Sequence, residues 1–413
     1  MEEKTHSRFR GILAPMAVPD YRRLLIGNAL WWQANWMEQT VIGWLVLEMT
    51  NSAWDVAQVS FYRSLPLLMV GFVSGGITNR WNRRAIILGA QVLYAVVFGA
   101  FAALLWTGHL AFWHLAVGAF LMGVGWALDW PARRGLLPDL VGRARTVDAM
   151  MLENVAGNLS RVLGPFMGGV MIVTLGMLGC FLVLCGIQVL GFFILLRLTP
   201  RPQARRTRAA LPWTNVVEGL RYARHNQPIL GVLMITVLMN AFLFPYQSLL
   251  PVFARDVLRQ GPVGLGVLGA SSGIGSFFGL LVVHWLKRFH HNGWVFAGGT
   301  ILQSAVMIAF AASTSYPLSV ALLIVSGVGH AAFNVMQSSI VLMSSSDEMR
   351  DRALGVLVMA IGGGPLGRLQ IGALATVWGV PAAVGISCAT AVLGISVVTA
   401  LLPGFRARDE ART

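Results

Sequence analysis

Glu38, Arg63, Arg161, His284, His330 and Arg368 are ionisable side chains inside apolar stretches long enough to cross a bilayer. A charge in hydrocarbon costs at least about 2.5 kcal/mol on insertion scales, so such residues face a protein interior or water. Glu38 is the one acid near the middle of a stretch. A carboxyl group in a cavity loads and releases a proton when desolvation disfavours its charge and a neighbouring cation gates it. Glu38 is therefore the candidate proton-coupling residue, and a fixed ion pair with Arg63 or Arg161 is its competing role. Three central arginines against one acid make a net positive cavity, which suits an anionic or acidic amphipathic ligand. His284, beside Lys287 and Arg288, reads as interfacial.

Polar residues also recur at helical spacing. Asn35, Glu38 and Gln39 share a face, as do Asn154, Asn158 and Arg161, and again His330, Asn334 and Gln337. Asn240 and Gln247 are seven apart. These sets predict a cavity wall built from Asn35, Arg63, Asn158, Arg161, Asn240, Gln247, His330, Asn334, Gln337 and Arg368; interhelical hydrogen bonding is the alternative use of an Asn or Gln. No catalytic residue, metal site or cofactor site is expected. Neither GxSxG nor HExxH occurs, there is no Walker motif, and Cys180, Cys185 and Cys388 all lie in apolar runs with no His/Cys cluster. An enzyme is therefore not expected.

The elements that must position these residues are apolar helices. Hydrophobic residues make up 56% of the 413 and charged residues 12%, with a mean hydropathy of +0.68; an ordinary soluble chain carries about 25% charged residues. A window of about 20 apolar residues predicts twelve spans: 24–49, 56–75, 85–107, 110–128, 147–174, 177–196, 229–254, 264–286, 294–312, 317–342, 353–374 and 380–402. The run from Leu24 is too long for the apolar core of a signal peptide and reads as a retained first span. Of the 31 Lys and Arg residues, 26 fall at alternate loops and the two ends, against Arg255 and Arg259 in the opposite loops. By the positive-inside rule this places both termini in the cytoplasm. The same pattern accounts for the net charge of +14 without a nucleic-acid partner. Residues 197–228 form a linker, with Trp213, Val216, Val217 and Leu220 at helical spacing for an interfacial helix. The expected organisation is an all-α membrane protein of two six-helix halves, 1–196 and 229–413, either side of that linker. Gly164-Pro165 and Gly364-Pro365 at matching places support an internal repeat.

The loop between the second and third spans, Gly75-Gly-Ile-Thr-Asn79-Arg80-Trp-Asn82-Arg83-Arg84, resembles the signature Gly-x-Leu-x-Asp-Arg-x-Gly-Arg-Arg of the major facilitator superfamily. Gly75, Arg80, Arg83 and Arg84 match, while Asn79 and Asn82 depart from it. The resemblance implies a cytoplasmic gate, with Asp129 expected to supply the carboxylate that Asn79 lacks. Pro131 to Val141, Leu249 to Leu258, and Gln337 followed by Asp347 to Arg352 resemble the enterobactin-exporter and macrolide-efflux branch. Gly164, Pro165, Gly168 and Gly169 resemble the antiporter motif of drug exporters. What this implies is a secondary transporter in the bacterial inner membrane. It would export a small anionic or amphipathic solute, siderophore- or drug-like, by alternating access coupled to protons or sodium; import or facilitated passage on the same fold is the alternative. Nothing in the sequence demands more than a monomer.

Overall fold

The computed structural model describes residues 13–80, 82–199, 212–286, 291–346 and 348–406, with side chains undescribed also at 70–80, 143, 212–216 and 351. Among the described residues there is no strand. Every backbone donor and acceptor within hydrocarbon must be satisfied internally, and helices do this within one segment. Nine helices among the described residues are long and apolar enough to cross a membrane.

The chain begins with α1 (Pro19–Thr50), α2 (Ala53–Arg80), α3 (Arg83–Trp106) and α4 (Phe112–Val141). Asn51 closes α1 at φ 52°, and the Asn82 side chain caps α3 by accepting from the Arg84 N–H at 3.0 Å. The expected fourth span ends at 128, yet α4 runs on through Pro131 and Pro138 to Val141. At 1.5 Å per residue its 30 residues cover about 45 Å, enough to carry Arg133 and Arg134 to the headgroup level.

Thr146–Leu196 reads as one helix of 51 residues but breaks at Gly176, whose φ of 68° only glycine adopts readily. Its two ends show that it folds back. The Tyr21 hydroxyl donates to the Ala149 carbonyl at 2.9 Å, and Leu195 packs within 2.7 Å of where a Cβ on Gly27 would stand. Both contacts lie in the first turns of α1, so α5 (146–175) and α6 (177–196) run antiparallel, as the two separate expected spans require.

An amphipathic α7 (Pro212–His225) follows. Gly219 and Ala223 face inward, while Val217 and Leu220 are exposed. Next come α8 (Gln227–Val257), α9 (Pro262–Leu286), α10 (Asn292–Ala312) and α11 (Tyr316–Ser344). Two π-helical turns, Met239–Leu243 and Phe253–Val257, interrupt α8.

The expected span 353–374 is two helices, α12 (Arg350–Ile361) and α13 (Gly364–Trp378). Pro365 has no N–H for the carbonyl of Ile361, and Gly362-Gly363 form the turn between them. The Gly-Pro pair in α5 behaves differently: the helix continues through Pro165. The last long helix is α14 (Val380–Leu401).

The helices before residue 200 meet those after 211 along two seams. Glycines of α5 and α9 interlock: a Cβ on Gly169 would stand 2.3 Å from the Pro262 carbonyl oxygen, and one on Gly266 would stand 2.6 Å from that of Pro165. The second seam joins α2 to α13, where Gly372 faces Ala57 and Trp54. Small residues bring helix backbones close enough for dispersion to act without a hydrophobic drive.

Candidate functional site

Glu38 and Asn35 are one turn apart on α1. Arg63 of α2 reaches across to both. Its Nε donates to Glu38 Oε1 at 2.6 Å and its Nη2 to Asn35 Oδ1 at 2.8 Å. Glu38 is 4% exposed. The close approach of α4 holds this cluster in place, since a Cβ on Gly123 would stand 2.4 Å from the Arg63 carbonyl oxygen. The ion pair weighed for Glu38 is thus with Arg63 and not with Arg161.

Arg161 sits elsewhere. It is 9% exposed, and among the described residues it has neither ion pair nor hydrogen bond; its guanidinium lies 5.4 Å from the ring centre of Trp36. A buried cation without a carboxylate is electrostatically uncompensated. It also lines two cavities. One, of about 200 Å3, is walled by α1, α4 and α5, and Asn154 and Asn158 line it as their spacing with Arg161 predicts. The other, of about 60 Å3, lies between α1, α5, α8 and α9 and includes Gln247 and Tyr246. The Arg161 side chain therefore stands where the two groups of helices meet.

Arg368 likewise has no hydrogen bond or ion pair among the described residues. Its Nη1 and Asn240 Oδ1 flank Gly364, each 3.5 Å from where a Cβ there would stand. Arg63 is within electrostatic range of it. The three residues of α11 part company. His330 is buried against Gln303 and Phe244, and Gln337 is tied to Thr236 of α8 at 2.8 Å, as interhelical glue would be. Asn334 remains exposed.

The gate expectation needs correction at one residue. Asp129 does not meet the described arginines of the loop after α2; it accepts from Arg133 Nε at 2.8 Å, one turn on in its own helix. The carboxylate that Arg83 finds is Asp139, at 2.7 Å, with the Gly135 carbonyl at 2.5 Å. The continuation of α4 past 128 explains the exchange, because it carries Asp139 to the end of α3 and leaves Asp129 buried. Arg84 donates to the Leu196 carbonyl at 2.5 Å. The side chains of Gly75, Asn79 and Arg80 lie outside the described residues, as do Lys287 and Arg288.

The glycines of the antiporter-like motif serve two contacts. Gly164 and Gly168 admit α1 at Trp36 and Met37, and Gly169 admits α9 at Pro262.

Spacing alone did not reveal the network that links Asp129 to the larger cavity. Arg133 Nη1 donates to Asn28 Oδ1 at 2.6 Å, and Asn28 Nδ2 in turn donates to Glu153 of α5. It joins three helices, and only Trp31, Trp32 and Trp36 hinted at it by their density in one run.

Known proteins resemble the chain over 59% to 94% of its length. It is 28% identical to the multidrug efflux pump Tap of Mycolicibacterium fortuitum over 379 residues, covering 89% of this chain and 92% of that one. It is 22% identical to the staphyloferrin A transporter of Staphylococcus aureus, over 62% of this chain and 64% of that one. Macrolide efflux protein A of Streptococcus pyogenes is 20% identical over 59% and 61%. Among solved structures, a peptide transporter of the POT family superposes with a TM-score of 0.78 at 10% identity, covering 94% and 95%. The model of the transmembrane secretion effector family matches residues 10–412. The chain belongs to that family of the major facilitator superfamily, and is a multi-pass membrane transporter of small molecules rather than an enzyme.

Proposed function

We propose that the chain is a proton-coupled exporter of small amphipathic anions, working by alternating access of two six-helix halves, 1–196 and 229–413. The observation that carries this reading is Arg161: a buried arginine without an acid, shared by a cavity within the first half and a second one where the halves meet. The efflux pumps among its relatives support the direction of transport. Twelve spans follow if Thr146–Leu196 counts as two, the broken α12–α13 as one, and α1 and α2 are included despite their charges. The arginine-rich ends then face the cytoplasm of a bacterial cell, with the membrane being the inner one.

Glu38 carries the proton. While ionised it holds Arg63 and is itself held; protonation removes the Coulombic attraction and leaves Arg63 to Asn35 alone. That is a two-state element which a proton on one side and substrate charge on the other both bias. Glu38→Gln in proteoliposomes tests it. Efflux driven by an imposed pH gradient should be lost, while exchange of labelled for unlabelled substrate continues. Gradient-driven efflux that matches the parent protein would remove Glu38 from the coupling step.

A further inference from the structure

The larger cavity, of about 200 Å3, is unusually rich in indole rings: Trp31, Trp32, Trp36 and Trp130 line it. A cavity of about 150 Å3 accepts one benzene ring, so this one holds a fused two-ring system. Its walls combine aromatic faces with guanidinium planes, since Arg134 stacks on Trp130 at 4.3 Å from the ring centre. Flat, sequence-tolerant stacking of this kind selects planar rings.

The charges select a sign. Three arginines line the space, Arg133, Arg134 and Arg161, against Glu153, and Asp129 stands behind Arg133. The balance is one positive charge. Arg133 is already held by Asp129 and Asn28, and Glu153 by Asn28. What remains is Arg134, stacked on Trp130 at one wall, and, at the point where the two cavities adjoin, Arg161 with the indole N–H of Trp36, a donor with no hydrogen-bond partner.

Building on the exporter reading above, we infer that this chamber binds planar aromatic monoanions, with the rings against the indoles and the acid group at Arg161. A single carboxylate on a naphthalene-sized system fits both the volume and the charge. Trp32 acts as a stacking wall, and Gly157 keeps the space open. A Cβ at Gly157 would stand 3.5 Å from Trp32 Nε1, an ordinary contact, so anything larger than alanine projects into the chamber.

Calorimetric titration of the purified full chain in nanodiscs tests this with three probes: 2-naphthoate, naphthalen-2-ylmethylammonium and cyclohexanecarboxylate. We expect saturable binding of 2-naphthoate, with the cation and the non-aromatic acid at least about tenfold weaker. Trp32→Leu and Gly157→Leu should each weaken naphthoate about tenfold, while Gly157→Ala, whose methyl fits, retains it. Arg161→Gln should erase the preference for the anion over the cation. Equal affinity for all three probes overturns the inference, as does unchanged naphthoate binding in both Trp32→Leu and Gly157→Leu. Efflux of 2-naphthoate from proteoliposomes is read separately. Binding without transport overturns the exporter reading and leaves the chamber standing; transport unaltered in Trp32→Leu and Gly157→Leu does the reverse.

Discussion

A buried charge is tolerable only in company. Asp129 is 0% and Arg133 2% exposed, and their 2.8 Å contact is completed by Asn28. Removing one partner leaves the other charge uncompensated in a low dielectric, at a cost of about 3–5 kcal/mol. Asp129→Leu should therefore lower the melting temperature of the purified protein sharply. The double variant Asp129→Leu/Arg133→Met should recover much of it, since an apolar pair of similar size needs no solvation. Equal destabilisation by the single and double variants would mean that the pair is not what holds this site. Glu38–Arg63 is built from the same chemistry, each arginine donating also to an asparagine, but it joins α1 to α2 where Asp129–Arg133 lies within α4. A carboxyl paired across two helices can change how they sit when it gains a proton, which one paired within its own helix cannot do.

At the scale of helices, the seam between α5 and α9 depends on the absence of side chains. With the Pro262 carbonyl 2.3 Å from any Cβ on Gly169, backbone on both sides must give way to admit a methyl group. Gly169→Ala should cost about 1–3 kcal/mol by overpacking and slow transport. Gly186→Ala, on α6 with no atom within 4 Å, should leave both unchanged. Thermal denaturation and a transport assay on the two variants check this. The breaks in α8 and between α12 and α13 cluster near Asn240 and Arg368, and a Cβ on Gly367 would meet the Ala241 carbonyl oxygen at 2.4 Å. Interrupted helices at membrane depth occur where backbone lines a cavity or is buried in protein, and here they bring polar groups from α8 and α13 together.

For the molecule as a whole, the end away from the arginine-rich loops carries a latch. Arg255, at the end of α8, donates to the Leu47 carbonyl at 3.1 Å and to Asn51 at the C-cap of α1, and pairs with Asp256 at 2.6 Å. In the proposed cycle these bonds must break before that face opens. Arg255→Ala should shift the population toward the open form. Spin labels at His109→Cys and Ser315→Cys, in the α3–α4 and α10–α11 connections, should show a longer mean distance in that background by electron–electron resonance. An unchanged distance distribution would mean that the latch adds nothing to closure.

Solvent chemistry made much of this protein legible before any coordinates. Apolar runs of about 20 residues can only be spans, so the helices, the fold class and the break near 176 follow from composition and spacing along the chain. The polar faces of Asn154, Asn158 and Arg161 were equally plain, because residues at i, i+4 and i+7 point the same way in any helix. Pairing across helices was not legible. Nothing local distinguishes Arg63 from Arg161 as the partner of Glu38, and the choice is made by how close α4 lets α2 come at Gly123. Local rules also failed at prolines. The fourth span was expected to end at 128, yet α4 continues through Pro131 and Pro138 because packing against its neighbours outweighs the lost hydrogen bonds, and the carboxylate that meets Arg83 is Asp139 rather than Asp129. The tryptophan chamber draws on α1, α4 and α5, and a cavity has no sequence of its own: it is the space that three helices leave when each satisfies its other contacts.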